Sequence, residues 1–326
     1  MSLGNLLFAS HFARAVQVGD LLVADSQGPD GHGIILDINP QTGAQTVVAS
    51  GGYLNQPNHM CLDPSNDTLI ISDYGGIGTT DVNGAILRIN PFTGQQSVVS
   101  VGGSLFHPTA VAFDANGDLV VTEAYNVLLI NPANGDQTIV ASGGVLAVTT
   151  GIAVAKNGNY FVSNFQSPGV GSGVVEINPT TGSQTRVSTG GNMDLGPEDL
   201  WIDNTNAQRL LVAEAYTGAG TTGPSLLGIN SATGAQSVIS SEGSLGFPTA
   251  VTQDSSGNSY VTDQLSDLGG ANVVRVNLNT GQQRVISSGG YLETPLGIVV
   301  IPEPASIGII CVLAGACFTA RRLARR

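Results

Sequence analysis

The stretch Asn90-Pro91-Phe92-Thr93-Gly94 decides the fold of this chain, because close variants of it occur six times. Each copy starts at an asparagine, reaches a glycine four residues later and leads into a Ser/Val-rich strand that ends near Gly-Gly. The asparagines are Asn39, Asn90, Asn131, Asn178, Asn230 and Asn277, at intervals of 51, 41, 47, 52 and 47 residues. Repeats of this length built from short strands are typical of β-propellers. We therefore predict an all-β fold, a six-bladed β-propeller of four-stranded blades.

The second repeat shows how a blade is built. An inner strand runs from Pro57 to Leu62, and a second strand follows the Asx- and Pro-rich turn and ends at Asp73. A Gly-rich loop leads to a third strand over 85–89, and the Asn90–Gly94 turn leads to the fourth strand. Short β-branched runs bounded by Gly, Pro and Asn predict strands and turns. The first repeat lacks an inner strand, so we expect residues 294–300 to complete that blade and to close the ring.

Composition limits the classes of function. The chain has 326 residues, and the repeats occupy residues 16–301, which favours one propeller domain. Residues 1–304 carry 7 basic and 24 acidic groups, a formal charge of 7 − 24 = −17. Such a surface repels phosphate backbones, so we expect no nucleic-acid partner. Cys61 is the one cysteine of the body, and the other two lie in the apolar tail, so no disulfide is predicted within the propeller.

The tail has three features in a fixed order. Pro302-Glu303-Pro304 precedes sixteen mostly apolar residues, 305–320, which predict a short transmembrane helix. Arginines follow at positions Arg321, Arg322, Arg325 and Arg326. This order resembles the PEP-CTERM sorting tail of exported bacterial proteins. The resemblance covers residues 302–326 and implies an exosortase-type processing enzyme as partner, with membrane contact through the tail before processing. An ordinary C-terminal membrane anchor is the alternative.

The two ends of the chain together predict the location. The positive-inside rule places the arginines in the cytoplasm and the propeller outside. Residues 1–15 read as a truncated signal peptide, since Ala13-Arg14-Ala15 resembles a cleavage site while no basic residue precedes it, and we expect the true start to lie upstream. The predicted location is the outer side of the inner membrane, and then the cell surface or extracellular matrix.

Four-stranded blades place alternate loops on opposite faces. The Asn-x-x-Thr-Gly and Asp-x-x-Gly turns share one face, the turn face, and the Gly-Gly connections and long Gly-rich loops share the other, the loop-rich face. Two rings of residues are predicted near the loop-rich face. The ends of the second strands contribute Asp25, Asp73, Glu123, Asn164, Glu214 and Asp263. The first inner-strand positions contribute Asn58, Thr109, Thr150, Glu198, Thr249 and Leu296. We expect any ligand site here, since binding residues concentrate on variable loops.

The inner-strand unit resembles those of NHL and gluconolactonase-like (SMP-30) propellers. The resemblance rests on Pro57-Asn58-His59 followed by Ile71-Ser72-Asp73, and more loosely on Gly196-Pro197-Glu198-Asp199-Leu200-Trp201, where the Glu lies on the other side of the Pro. It implies Asn58, and then Glu198, as metal ligands. The further candidate oxygen ligands are Glu123, Glu214, Asp73 and Asp263, and the candidate cofactor is a divalent cation such as calcium.

Two roles stay open for these acids: they hold a cation at the axis, or they cap neighbouring backbone amides. No catalytic residue is assigned, because no GxSxG motif and no acid/base pair emerge, and streptogramin lyase-like propellers need paired histidines. We predict an exported binding or scaffold module whose partner is an extracellular polymer, a surface protein or a small ligand. The alternatives are a metal-dependent lactonase- or esterase-like hydrolase and a purely structural surface protein. Convergence of three or more carboxylates on the axis would favour the enzyme, and capped acids with an exposed aromatic or polar patch would favour binding. A featureless axis would favour the purely structural protein.

Overall fold

The computed structural model describes residues 15–28, 30–76, 83–165, 171–193, 196–215, 223–266 and 269–302. The predicted membrane segment over 305–320, the arginine cluster and almost all of the predicted signal peptide lie outside these ranges. Within them no helix is long and apolar enough to cross a bilayer. All 24 strands belong to six antiparallel four-stranded sheets, which confirms the predicted six-bladed propeller.

Five blades are continuous in sequence, and the strands of each run from the axis outward. Blade 2 contains β4 (Pro57–Leu62), β5 (Leu69–Asp73), β6 (Ala85–Ile89) and β7 (Gln96–Val101). Blade 3 contains β8 (Pro108–Phe113), β9 (Leu119–Glu123), β10 (Asn126–Ile130) and β11 (Gln137–Ser142). Blade 4 contains β12 (Val148–Val154), β13 (Tyr160–Phe165), β14 (Gly173–Ile177) and β15 (Gln184–Thr189). Blade 5 contains β16 (Pro197–Ile202), β17 (Arg209–Glu214), β18 (Ser225–Asn230) and β19 (Gln236–Ser241). Blade 6 contains β20 (Pro248–Gln253), β21 (Ser259–Ser266), β22 (Gly270–Val276) and β23 (Gln283–Ser288).

Blade 1 is assembled from both ends of the described chain. It contains β1 (Leu21–Asp25), β2 (Ile34–Ile38) and β3 (Gln45–Ser50), and its innermost strand is β24 (Pro295–Val300). β24 pairs antiparallel with β1, with Leu21 opposite Val300 and Asp25 opposite Pro295. The predicted ring closure is therefore confirmed, and it removes the free edge that an open propeller would expose.

The repeated asparagine builds a turn. In blade 2 the Asn90 side-chain oxygen accepts hydrogen bonds from the amides of Phe92 (2.9 Å) and Thr93 (3.0 Å), and the Gly94 amide donates to the Asn90 carbonyl. Gly94 has φ +70°, and a Cβ there would lie 2.6 Å from the carbonyl oxygen of Val48 in the neighbouring blade. Glycine is therefore required both by the turn and by the approach of the next blade.

A glutamine near the start of each outer strand joins neighbouring blades. Gln137 is an example: its Oε1 accepts from the Ser104 amide (2.7 Å), and its Nε2 donates to Ser100 Oγ (3.0 Å) and the Gly102 carbonyl (2.9 Å). The equivalent glutamines in the six blades are Gln45, Gln96, Gln137, Gln184, Gln236 and Gln283. We call this contact the glutamine clasp. It joins neighbouring blades at their outermost strands, on the periphery of the ring.

The hydrophobic core lies in layers between adjacent blades. Leu22 and Ile35 of blade 1 pack with Met60 and Leu87 of blade 2, all fully or almost fully buried, and the other layers are built in the same way. Burying one such side chain contributes about 1.5–3 kcal/mol. The layers fix the angle between blades and so the positions of the inner strands around the axis.

Candidate functional site

The second-strand ends cap backbone amides. Asp73 accepts hydrogen bonds from the amides of Asn55 (2.8 Å), Gln56 (3.0 Å) and Gly75 (3.1 Å). The first two amides belong to the connection that leads into the inner strand of the same blade. Burial raises the pKa of Asp73 to about 6, although the amide hydrogen bonds lower it in part. This carboxylate holds the loop at the start of β4.

The other members of this ring make the same kind of contact, each toward the connection that precedes the inner strand of its own blade. Glu123 accepts from the amides of Phe106 and His107, and burial raises its pKa to about 7. Asp25 accepts from the amide of Thr294, and burial raises its pKa to about 6. The remaining members, with the same type of bond, are Asn164, Glu214 and Asp263. Asn164 and Asp263 lie inside their strands and not at the predicted ends, because β13 continues to Phe165 and β21 to Ser266. Capping, one of the two roles left open, is thus what the described geometry shows for these side chains.

The inner-strand ring is formed largely by hydroxyl groups that join blades. Thr109 Oγ1 donates to the Thr149 carbonyl (2.8 Å), and Thr150 Oγ1 donates to the Pro197 carbonyl (2.6 Å). Thr249 Oγ1 donates to the Pro295 carbonyl (2.7 Å). Each bond crosses from one inner strand to the next, so these threonines hold the ring together at the axis.

Glu198 differs from the other predicted acids. It is partly buried on β16 and makes no hydrogen bond within the described ranges. Burial raises its pKa to about 7, and the neighbouring Asp199 carboxylate adds to the rise. The charged form of Glu198 therefore lacks the amide donors that stabilise Asp73.

His59 and Asp199 approach each other from blades 2 and 5, on opposite sides of the ring. His59 Nε2 lies 3.6 Å from Asp199 Oδ1. His59 Nδ1 accepts from the Val111 amide (3.4 Å), which places the imidazole proton on Nε2, and Asp199 Oδ2 accepts from the Val251 amide (3.0 Å). Asp199 Oδ1 is buried without a hydrogen-bond partner in the described part of the chain. The two side chains meet across the axis, at a level between the loop-rich face and the turn face.

Small residues beside this pair make the approach possible. Gly151 lies at the same level of the adjacent inner strand, and a Cβ there would lie 2.5 Å from Asp199 Oδ1 and 2.7 Å from Asp199 Cα. Since a contact of that length is not tolerated, Gly151 gives Asp199 its place at the axis.

The predicted metal ligands do not converge within the described ranges. No three His, Cys, Asp or Glu side chains form a group there that could hold a metal ion. Four of the predicted ligands accept hydrogen bonds from backbone amides instead: Asp73, Glu123, Glu214 and Asp263. Asn58 and Glu198 are the two members of the predicted set for which no such bond is described above. A cation held by Asn58 and Glu198 stays a prediction.

A cavity of about 690 Å³ opens on the turn face, opposite the face on which the sequence places the site. His59 lies at its inner end. Its walls come from the later halves of the inner strands and include Met60, Ile152 and Trp201, while Lys156 and Asn204 lie in turns at its mouth. Trp201 also packs against the core layer between blades 5 and 6, so it serves both as a core residue and as a cavity wall.

The loop-rich face carries exposed aromatic rings on blades 2 and 3. Tyr74 stacks on His107, with ring centroids 4.3 Å apart and an interplanar angle of 17°. Phe106 precedes His107, and the amides of both residues donate to Glu123. Tyr125 lies two residues beyond Glu123. Their exposed fractions are 39% for Tyr74, 55% for Phe106 and 55% for Tyr125. We call Tyr74, Phe106, His107 and Tyr125 the aromatic patch.

Sequence reasoning missed the cavity, the Asp199–His59 pair and the glutamine clasp. A glutamine stands two residues after the glycine of every repeat, and this regularity could have identified the clasp. The pair has no such signature, because His59 and Asp199 occur in two different blades and meet only when the ring closes.

Comparisons with known proteins support the architecture. No protein-family model matches the chain, and no curated protein matches it in sequence. Among solved structures, a chain of a nidogen–laminin complex is similar, with a TM-score of 0.69, 16% identity, and coverage of 87% of this chain and 99% of that one. TolB from Acinetobacter baumannii has a TM-score of 0.65, 10% identity and coverage of 87% and 67%. A gluconolactonase from Xanthomonas campestris has a TM-score of 0.59, 14% identity and coverage of 87% and 90%. At these identities the likeness shows the six-bladed propeller fold alone.

Proposed function

We propose that this chain is an exported binding or scaffold module that holds a protein partner on its loop-rich face. The observation that carries the proposal is the aromatic patch beside acids that are already committed to backbone amides. Glu123 accepts from the amides of Phe106 and His107, and Asp73 accepts from the amide of Gly75, which follows Tyr74. The Tyr74 amide itself donates to the Gln56 carbonyl, so the loops that carry these three rings are fixed. The patch is therefore a preorganised surface, and preorganisation lowers the entropy cost of binding.

The chemistry of the patch suits a protein partner. Tyrosine and phenylalanine are enriched at the centres of protein interfaces, where they supply large contact areas with few rotatable bonds. The formal charge of −17 over residues 1–304 favours a partner with a basic surface and faster association at low salt. A similar propeller chain occurs in the nidogen–laminin complex, which gives a precedent for the fold in protein binding and no more than that.

The tail gives the proposed module its location and orientation. Residues 302–326 would be recognised by an exosortase-type system, as their resemblance to PEP-CTERM tails implies, and would contact the membrane before processing. β24 ends at Val300, where its partner β1 begins, so the chain leaves the propeller from the turn face. In a tail-held molecule the loop-rich face would then point away from the membrane, toward the partner.

The test compares two phenylalanines of similar exposure on opposite faces. Phe106 is 55% exposed in the aromatic patch, and Phe92 is 60% exposed in the Asn90–Gly94 turn. The immobilised wild-type chain is incubated with the extracellular fraction of the producing cells, and any retained protein is identified, purified and titrated. We expect Phe106→Ala and Tyr74→Ala to raise Kd at least tenfold, Phe92→Ala to leave it unchanged, and added salt to weaken binding. Equal loss with Phe92→Ala, or no saturable partner, would count against the proposal.

The second candidate is a metal-dependent hydrolase of the lactonase or esterase type. The observation in its favour is Glu198, whose carboxyl has no hydrogen bond in the described structure and a pKa raised to about 7 by burial. The fold likeness to a gluconolactonase agrees with this candidate without assigning any residue. Its test is thermal melting with and without calcium, in the wild type and in Glu198→Gln. A calcium-dependent rise in Tm that Glu198→Gln abolishes would support it, and a flat response would remove it.

A further inference from the structure

We propose that the turn-face cavity binds a small monocarboxylate with an extended apolar body, the body inside and the carboxylate at the mouth beside Lys156. The site lies on the opposite face from the aromatic patch and does not depend on the proposed partner. Three observations carry the inference: the size and walls of the cavity, the residues at its inner end, and the charge at its mouth.

The cavity has the size and lining of a ligand site. Its volume of about 690 Å³ lies within the roughly 300–1,000 Å³ typical of small-molecule sites, which are mostly apolar with a few polar groups. Met60, Phe113, Ile152, Trp201 and Val299 line it, and they come from five different inner strands. An apolar chain placed here would exchange contacts with water for contacts with carbon atoms of the walls, and this burial of apolar surface favours binding.

The inner end of the cavity determines which way round the ligand lies. His59 faces the cavity, and behind it the Asp199 side chain, 3% exposed, lies with its Oδ1 3.6 Å from His59 Nε2. Both ring nitrogens of His59 are engaged, Nδ1 by the Val111 amide and Nε2 toward Asp199, so His59 offers a ligand carboxylate no free donor. The buried Asp199 behind it also makes this end an unfavourable place for a second negative charge. The carboxylate is therefore expected at the opposite, open end.

The mouth offers one cation whose charge is not neutralised. Asp203 also lines the cavity, but Arg209 pairs with it through Nε (2.6 Å) and a terminal nitrogen (2.5 Å). Lys156, the single lysine of the chain, lines the mouth, is exposed and makes no ion pair within the described ranges.

Lys156 also occupies an exceptional turn. The turns after the inner strands of blades 2, 3, 5 and 6 begin with an aspartate, namely Asp63, Asp114, Asp203 and Asp254. In blade 4 the equivalent turn begins with Ala155 and is followed by Lys156. The change removes a negative charge and adds a positive one at a single point of the rim, which fits a single anionic group.

Trp201 provides a local readout, because it is the single tryptophan of the chain and lines the cavity. The probe is 11-bromoundecanoate, whose bromine quenches tryptophan fluorescence on contact, and its uncharged analogue is 11-bromo-1-undecanol. The purified full chain is titrated with each probe below its micelle concentration. We expect saturable quenching by the carboxylate, reversed by competition with undecanoate, and at least threefold weaker binding of the alcohol.

Three variants locate the site. Ala112 lines the cavity on β8 and is partly exposed, so Ala112→Phe should fill the cavity and raise Kd at least tenfold. Lys156→Gln alters an exposed turn residue. It should raise the Kd of the carboxylate probe about threefold to tenfold and leave the Kd of the alcohol unchanged. Arg186→Gln removes one positive charge from the exposed outer strand of the same blade and serves as the matched control, with Kd unchanged.

The outcomes separate cleanly. Saturable quenching that Ala112→Phe removes, and that depends on Lys156 but not on Arg186, supports the site and its orientation. Absence of saturable quenching in the wild type overturns the site. Equal binding of the alcohol, with no effect of Lys156→Gln, overturns the carboxylate as the ligand class. Since Lys156 and Arg186 are exposed, this part of the test stands even if Ala112→Phe fails to fold.

Discussion

Asp73, on the second strand of blade 2, and Glu198, on the innermost strand of blade 5, are carboxylates of the same propeller with opposite surroundings. Asp73 accepts hydrogen bonds from three backbone amides of its own blade. Glu198 accepts none in the described structure and has Asp199 as its neighbour. The comparison teaches that residue type does not decide the role of an acid here. The number of amide donors around it does, since donors stabilise the charged form and fix the loop that carries them.

The largest change in the free energy of unfolding is expected from removing an acid that caps backbone amides. Asp73→Ala leaves the amides of Asn55, Gln56 and Gly75 without their acceptor. Because an unsatisfied buried donor costs about 1–3 kcal/mol, the free energy of unfolding should fall by about 3 kcal/mol. Urea denaturation measures it. Asp73→Asn is the matched control and should cost much less, since Asn164 already performs this role in blade 4. Equal losses for the two variants would show that the cap is not what stabilises this loop.

A smaller loss of stability is expected at the axis, where Gly151 packs against Asp199. Gly151→Ala places a Cβ 2.5 Å from Asp199 Oδ1 and 2.7 Å from its Cα, so the inner strands must move apart, at a cost of about 2 kcal/mol. Gly228→Ala is the control: its Cβ would lie 2.8 Å from Ser237 Oγ, the end of a side chain that can rotate away. We expect a lower Tm for the first variant and a clearly smaller shift for the second. A reversed order would contradict the account of close packing at the axis.

The smallest effect should have the opposite sign. The pKa of Glu198 rises from 4.5 to about 7 on folding, so between these pH values the folded chain holds a proton that the unfolded chain releases. The contribution of Glu198 to the free energy of unfolding therefore falls as pH rises from 4.5 to about 7. Glu198→Gln should raise the free energy of unfolding at pH 8 by about 1 kcal/mol, after allowance for partial exposure, and change it little at pH 4. Glu242→Gln, which removes an exposed carboxyl outside the axis, is the matched control. Destabilisation by Glu198→Gln at pH 8 would indicate an unrecognised partner for Glu198.

Periodic features of the sequence predicted the fold well. The Asn-to-Gly turn, the strand at 294–300 that closes the ring and the two rings of residues all depend on local chemistry repeated at a constant spacing. Each could be derived from one blade and applied to the others. Periodicity predicts Asp25 and Glu123 at the ends of second strands, where β1 and β9 do end, and capping is one of the two roles that the sequence leaves open for them.

The candidate sites depend on features that are not periodic. His59 in blade 2 and Asp199 in blade 5 are 140 residues apart in sequence and meet only across the axis. The cavity is lined by residues of several inner strands, among them the small Ala112 and Ala153. A single residue such as Lys156 gains its importance from the equivalent turns of blades 2, 3, 5 and 6, which begin with aspartate. These properties belong to the closed ring and cannot be derived from any one repeat.

The strand that closes the ring also determines how the molecule would carry a mechanical load. β24 is held by its ladder to β1, from Leu21–Val300 to Asp25–Pro295, and the chain continues from its turn-face end. A pull between the tail and a partner on the loop-rich face would act along β24 and load all the bonds of that ladder in shear, together. A force perpendicular to a strand, applied at one of its ends, would instead break the ladder hydrogen bonds one at a time. The closure that assembles the propeller would thus also be its strongest attachment point for a molecule tethered at one end.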